Sequence, residues 1–272
     1  MEGSDDPAII VVDGVIDLGG SHISMRSNKT IIGLDGATFT NGGFEFYGGS
    51  NIIIRNVTFE HGNIDDALKI NQESHHSWSD HVTMSNYEDG LLDITRGSSY
   101  LTISWCHFKN HDKTLLIGHS NGFALDAGRL KTTLHHNWFD STGQRHPRVR
   151  QAEVHVYNNF FFNINSNNAY GTDDGYGVAS ADGAALLIEN NYFQDVPTPM
   201  QSGVPGYSEA GDIIERGNIY DNSGDGVNVG PACEANSYYS YGLDAAADVP
   251  AIVRAGAGAG VIDPQAAIDM AR

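Results

Sequence analysis

From residue 52 onward the chain repeats one pattern of apolar and polar positions. A run rich in β-branched residues ends in a short or polar residue, one spacer, and an aromatic residue or methionine. The instances are IIIRNVTF ending at Phe59, WSDHVTM at Met84, LTISWCHF at Phe108, TTLHHNWF at Phe139, VHVYNNFF at Phe161, LLIENNYF at Phe193 and IIERGNIY at Tyr220. Aligned on the last residue, they put Val57, Val82, Cys106, Asn137, Asn159, Asn191 and Asn218 in one column, with successive members 25, 24, 31, 22, 32 and 27 residues apart. A period in the twenties that insertions only lengthen is what a solenoid coil produces. Short strands from each coil then stack in parallel ~4.8 Å from the next, so the column's asparagines can bond one another and the turn backbone.

An antiparallel sandwich also has short strands between turns. Asn-Gly hairpin signals are few here, and a sandwich gives the asparagine column no purpose. The expectation is therefore an all-β chain, one right-handed parallel β-helix domain over residues 1–272. AIIVVDGVIDL and NKTIIGLDGATF read as earlier coils. Beyond residue 236 the pattern stops, and the tail (about 237–272), with its Ala- and Gly-rich stretch 245–260, is expected to pack along the outside.

Composition narrows the function. Thirty-two glycines suit a chain of many tight turns, and a formal net charge of −19 argues against a nucleic-acid partner. Five lysines against 34 acids also fit adaptation to high salt. No apolar run approaches the ~18 residues of a membrane span. The acidic start, Met1 to Asp6, lacks an apolar secretory core, which leaves a cytoplasmic chain or one whose signal peptide has been removed. Cys106 and Cys233 are too few for a disulfide framework; a buried thiol at Cys106 is favoured over a bridge between them.

Against this acidic background Arg145-His146-Pro147-Arg148-Val149-Arg150 places three guanidinium groups within six residues. Such crowding costs repulsion that nearby acids or an anionic ligand must offset. Pro147 biases the run towards strand or turn. Arg148 and Arg150 then share a face, and Arg145 points the other way unless the chain bends. Eight of the 15 basic residues fall between Arg96 and Arg150. Asp89 and Asp93 flank Gly90 and Leu91-Leu92, with Asp65-Asp66 one coil earlier and Lys113 one coil later. Converging carboxylates push pKa values up, and a hard divalent ion with oxygen ligands, best Ca²⁺, relieves them. A polyanion could lie on the basic stripe with Ca²⁺ bridging its carboxylates to the protein. The histidines are scattered without paired zinc spacing; His111 and His119, flanking Lys113, are the candidates to line a cleft.

WSDHVTM resembles the Trp-x-Asp-His motif of the pectate lyase superfamily. EDGLLDITRGSSYLTISWCHFKNHDKTLLIGHS, LHHNWFDSTGQRHPRVR and EVHVYNNFF resemble that family's central signature, over about Asn51 to Phe193. Ser79 and Val82 depart from the family's usual aliphatic residue and cysteine, and its amino-terminal helical cap is not evident. The resemblance implies Asp66, Asp89 and Asp93 as calcium ligands and Arg145 as catalytic base. It implies Lys113 and Arg150 as ligands of the substrate carboxylate, with Arg148 bracing the site, and it leaves Trp78, Asp80 and His81 as structural. It further implies a secreted, monomeric enzyme that cleaves polygalacturonate by β-elimination.

An arginine base is chemically demanding, since a free guanidinium titrates above ~12. Neighbouring cations disfavour its charged form and also acidify the proton being removed, so alkaline activity is expected. Three readings compete. A pectin lyase acting on methyl esters would not need the aspartates. A hydrolase of the polygalacturonase type would not need an arginine base. A non-catalytic β-helix that binds acidic polysaccharide would leave Lys113 and Arg145 without a joint role.

Overall fold

The protein is described from a computed structural model covering residues 3–165, Tyr170, 175–231 and 233–271. It is a right-handed parallel β-helix with three faces. Face A is a nine-stranded parallel sheet running from Ala8–Val12 to Asp212–Arg216. Faces B and C are two branches of a second sheet joined through the long strand Thr38–Tyr47. That strand pairs with Thr58–Glu60 at its start and Leu68–Asn71 at its end. Face C carries three-residue strands such as His107–Lys109 and Trp138–Asp140. Face B carries Gly90–Ile94, Lys113–Ile117 and Arg148–Arg150.

The sequence column lies in the turn from face A to face C. Asn56, His81, Trp105, His136, Asn158 and Asn190, each just before a column residue, have φ between 48° and 57°, and Gly217 takes 65°. The left-handed residue turns the chain and aims the next side chain into the stack. Asn137 Nδ2 donates to Asn159 Oδ1 at 2.9 Å, Asn159 Nδ2 to Asn191 Oδ1 at 3.0 Å, and Asn191 Nδ2 to Asn218 Oδ1 at 2.9 Å. Each Oδ1 also accepts the backbone N–H of the preceding coil's column residue, the first being Cys106 N to Asn137 Oδ1 at 2.9 Å. Buried amides are tolerated here because the next coil supplies what each one lacks.

Two residues further on, the aligned aromatics stack inside the coil. Phe108–Phe139, Phe139–Phe161, Phe161–Phe193 and Phe193–Tyr220 have ring centroids 5.1, 4.9, 4.4 and 5.3 Å apart. The Trp78-Ser79-Asp80-His81 stretch builds a buried polar knot. Asp80 accepts from Arg55 Nε (2.8 Å) and Ser104 Oγ (2.7 Å) and lies 2.8 Å from His81 Nδ1, while Trp78 Nε1 donates to Ser104 Oγ at 2.8 Å. These partners hold the Asp80 carboxyl below the ordinary range although burial alone would raise it.

The tail runs back along the solenoid. Tyr239 and Tyr241 pack against face A with Cys233, and helix Val249–Gly256 covers Trp138 and Phe160. Gly256 touches Trp105 so closely that a Cβ would lie 2.5 Å from its ring. Helix Pro264–Ala271 ends on Ile32 and Leu34, near the first coil. Cys106 lies in the main core and Cys233 under the tail, both as free thiols, so no bridge joins them. Among the described residues no helix is long and apolar enough to cross a membrane.

Candidate active site

Outward positions on face B form one line across five coils. Glu45 pairs in register with Lys69, Lys69 with Asp93, Asp93 with Leu116, and Leu116 with Arg148. The turns entering these strands bring up Asp65, Asp66, Asp89 and Arg145, and Lys113 opens its own strand in register with Gly90. Parallel stacking thus converts residues some 23 to 32 positions apart into neighbours.

The acidic half is built around Gly90. Its N–H donates to Asp66 Oδ1 at 2.8 Å. A Cβ at that position would lie 2.5 Å from Asp66 Oδ1 and 3.1 Å from Asp93 Oδ1, so glycine is what lets both carboxyls converge. Asp93 Oδ1 is buried without a hydrogen-bond partner. Burial, reinforced by Asp66 and Asp89, pushes the Asp93 carboxyl well above the usual carboxylate range, with Arg145 and Lys69 opposing. Asp66 is also raised by burial, against the pull of Lys69, whose ammonium lies 3.7 Å away and also pairs with Asp65. The groove over these groups, ≈ 330 Å³, is lined by Glu45, Asp65, Asp66, Asp89 and Asp93 with Lys69 and Arg96.

The basic half lies on the next two coils. Lys113 donates to Asp89 Oδ1 at 2.6 Å. The bend that lets Arg145 join its neighbours is present: Arg145 has φ 66°, and the His146–Pro147 peptide is cis. The Arg145 carbonyl accepts from Leu115 N at 2.7 Å, and its Nε is buried without a partner. Arg148, 7 % exposed, donates through Nη2 to Ser208 Oγ at 2.7 Å and lies 5.9 Å from the Tyr207 ring centre. Arg150 donates through Nε to Asn121 Oδ1 (2.9 Å) and through Nη1 to the Gly118 carbonyl (3.2 Å). Burial, then the charges of Arg148 and Arg145, lower Arg150 to about 10.

The expected site residues divide as follows. Asp66 and Asp93 meet over Gly90; Asp89 lies beside them, with its carboxylate on Lys113. Among the described residues no three His, Cys, Asp or Glu side chains converge closely enough to hold an ion by themselves. His111 is buried with Nε2 2.9 Å from the Asp89 carbonyl, and burial lowers its pKa, so the neutral ring donates there and braces the acidic turn. His119 lines the acidic groove.

Sequence reading missed Lys69, Asn121, Tyr176, Tyr207 and Ser208. Lys69 was findable, because aligning Leu68-Lys69-Ile70 with Leu92-Asp93-Ile94 places it on Asp93. The larger cavity, ≈ 510 Å³, lies on face A under the tail; its charges, Lys131 and Glu153, pair with each other at 3.1 Å, and its histidine, His155, is held by Tyr239 and Glu189.

The sequence model of the pectate lyase family matches residues 2–260. A pectate trisaccharide-lyase of Thermotoga maritima is 38 % identical over 282 aligned positions, spanning 93 % of this chain and 77 % of that protein. Pectate lyase E of Dickeya dadantii is 37 % identical across 71 % of this chain and 59 % of its own length. Among solved structures, the Bacillus sp. N165 pectate lyase in complex with trigalacturonate superposes with a TM-score of 0.80 at 29 % identity, covering 97 % of this chain and 88 % of that one.

Proposed function

Because the chain belongs to the pectate lyase family, and is therefore a polysaccharide lyase, we propose that it cleaves polygalacturonate by calcium-assisted β-elimination, as a secreted monomer. The observation that supports this reading is a convergent carboxyl pair, with an orphaned Asp93 oxygen, close enough to the Arg145 guanidinium for the two charges to act on each other, the Arg145 Nε being itself orphaned. Buried polar atoms without partners mark a surface completed by a ligand.

The donor set fits a divalent ion. Asp66 and Asp93 supply hard oxygens whose pKa values are raised by burial first and by neighbouring carboxylates second, a cost that a cation relieves, and Asp89 is within reach of the pair. Two or three carboxylates do not complete a calcium shell, so water and the uronate would supply the remaining oxygens. Bound there, the ion would supply charge neutralisation of the substrate carboxylate, which acidifies the proton on the carbon beside it.

The chain's own groups do the rest. Lys113 and Arg150 attract the uronate carboxylate and orient the ring across the coil that carries Arg145. Arg145, in its neutral form, takes the C5 proton. The C5–H electrons form the C4–C5 double bond as the C4–O bond breaks, and the departing oxygen takes a proton from solvent. No water adds, so no glycosidase pair of carboxyls is needed. Burial first, then the charges of Arg148 and Arg145, lowers the Arg150 guanidinium to about 10, so the turn that carries Arg145 is a crowded cationic pocket suited to an anionic ligand.

The test is to follow unsaturated uronide absorbance on polygalacturonate, on methyl-esterified pectin and in chelator. The expected result is signal on polygalacturonate that chelator abolishes and calcium restores. Reducing ends without unsaturation would indicate a hydrolase. Activity on the ester that survives chelator would indicate a pectin lyase.

A further inference from the structure

Face B does not stay open along its length. The outward line that carries Glu45, Lys69, Asp93, Leu116 and Arg148 continues to Ala179 on the next coil. Ala179 points outward yet is 0 % exposed, because Tyr176 (2 % exposed) and Val204 (4 %) close over it as a separate apolar cluster. The covering segment is a hairpin tied to itself: Val204 N donates to the Ser208 carbonyl at 3.0 Å and Ser208 N to the Val204 carbonyl at 2.9 Å.

A second loop latches this hairpin down. Asn121 Nδ2 donates to the Tyr207 carbonyl at 2.7 Å, and Asn121 Oδ1 accepts from Ser208 Oγ at 2.9 Å and from Arg150 Nε at 2.9 Å. The loop bearing Asn121 is itself anchored. Asp126, fully buried, accepts from Gly97 N (2.8 Å) and His119 N (2.7 Å), and Asp182 accepts from Gly122 N (2.6 Å). Tyr207, 68 % exposed, stands at the rim.

We propose that the Val204–Ser208 hairpin, latched by Asn121, is an end wall that stops the substrate groove just past Arg148 and Arg150, so that the length bound beyond the cleaved bond is fixed by the wall. The proposal rests on the groove holding an oligogalacturonate. From Glu45 to Arg148 is four coil steps, ~19 Å at ~4.8 Å per coil, so the open stretch is short and lies almost wholly on the acidic side. A chain fed into such a groove meets the wall with one end, and cuts fall a constant number of units from that end.

Two readouts test this. The first uses end-labelled oligogalacturonates of increasing length and compares wild type with Asn121→Ala and with Tyr207→Ala. Wild type is expected to release one end product of constant size from every length, and the two variants to raise the minor cleavage positions at least tenfold relative to the main one. Scattered cleavage by wild type, or variant patterns identical to wild type, would overturn the wall. The second is calorimetric binding of the same saturated oligomers to the protein in chelator at neutral pH, which needs no catalysis. Wild-type affinity should stop rising once the open stretch is filled, and the limit should lengthen when the latch or its tip is removed. Affinity that climbs steadily with length in wild type defeats the wall even if lyase activity is present. A wild type that binds with the expected limit but releases no unsaturated product defeats the elimination reading and leaves the wall standing. Because Asn121 also holds Arg150, Tyr207→Ala separates the two effects: it trims the wall without touching an Arg150 bond.

Discussion

In the turn between faces A and C, four asparagines repeat the same amide on successive coils; each of the first three donates to the next, and the last, Asn218, donates to the Ile188 carbonyl and Glu215. On face B, Glu45, Lys69, Asp93, Leu116 and Arg148 occupy the equivalent of one column, and no two are alike. The first stack is neutral and satisfied. The second is charged, and it leaves Asp93 Oδ1, Arg145 Nε and Arg148 Nε buried without hydrogen bonds. Identical coils can satisfy one another, whereas a binding face must differ from coil to coil and keep some of its bonding capacity for a ligand. The ladder stabilises the solenoid so that the groove can hold groups that cost stability.

The sharpest way to break this contrast is Arg145→Lys. If Arg145 is the base, charge conservation does not rescue it, because one nitrogen on a shorter reach cannot replace the fork at the proton. Its kcat should fall by about 10²-fold or more, with thermal stability near wild type. Near-normal kcat in that variant, with loss in Lys113 or His111 variants, would move the base to one of those residues.

Asn159→Ala reverses the pattern. The side chain donates to Leu134 O, Tyr157 O and Asn191 Oδ1 and accepts from Asn137. Its removal leaves several buried groups unpaired, and the expected cost is about 2–4 kcal/mol in denaturant unfolding. The kcat of the folded fraction should change little, since the ladder lies on a different turn from the groove. A large loss of kcat at full occupancy of the folded state would mean that ladder and groove are not separate.

A smaller effect is expected at Arg150→Lys. A point charge still attracts a carboxylate, but the bonds to Asn121 and Gly118 are lost. KM should rise about tenfold, or ~1.4 kcal/mol, with kcat within a factor of two or three. An equal fall in both would place Arg150 in the proton-transfer step.

The two stacks were not equally legible in the sequence. The ladder and the aromatic stack were readable because they repeat: Asn137, Asn159, Asn191 and Asn218 share a place in seven aligned segments, and insertions between coils do not disturb it. The charged column does not repeat; coil spacing set Asp66, Asp89, Asp93 and Lys113 on neighbouring coils and the arginine run stood out by its charge, but only the family resemblance gave each of them a role. Lys69 stayed hidden inside an ordinary strand, LKIN, until the register set it beside Asp93. Asn121, Tyr207 and Ser208 meet across 86 and 87 residues of chain, and their meeting depends on the shapes of two insertions that have no period. Periodicity fixes what lies within a coil's strands; it says nothing of how two long loops fold over them.

Asp93→Asn gives the finest test, because it alters one group by one charge and the two columns predict opposite signs for it. In a satisfied network, losing a carboxylate is destabilising. Here the Asp93 carboxyl is raised by burial and by Asp66 and Asp89, so the folded state binds its proton more tightly than the unfolded chain does. Stability is then lost as pH climbs from the ordinary carboxylate value of 3.8 through the raised one, so towards neutral pH the buried carboxyl is a net burden. Asparagine removes that burden. The variant should melt on the order of 2–4 °C higher than wild type at neutral pH without calcium, corresponding to about 1 kcal/mol, and the difference should vanish below pH 3.8, where both forms are neutral. Saturating calcium should shrink or reverse the gain, since the ion stabilises only the ionised wild-type pair, and the calcium needed for half-maximal activity should rise in the variant. A lower melting temperature at neutral pH in chelator would mean that Asp93 is held by partners as the ladder amides are, and that face B is not the unsatisfied surface described above.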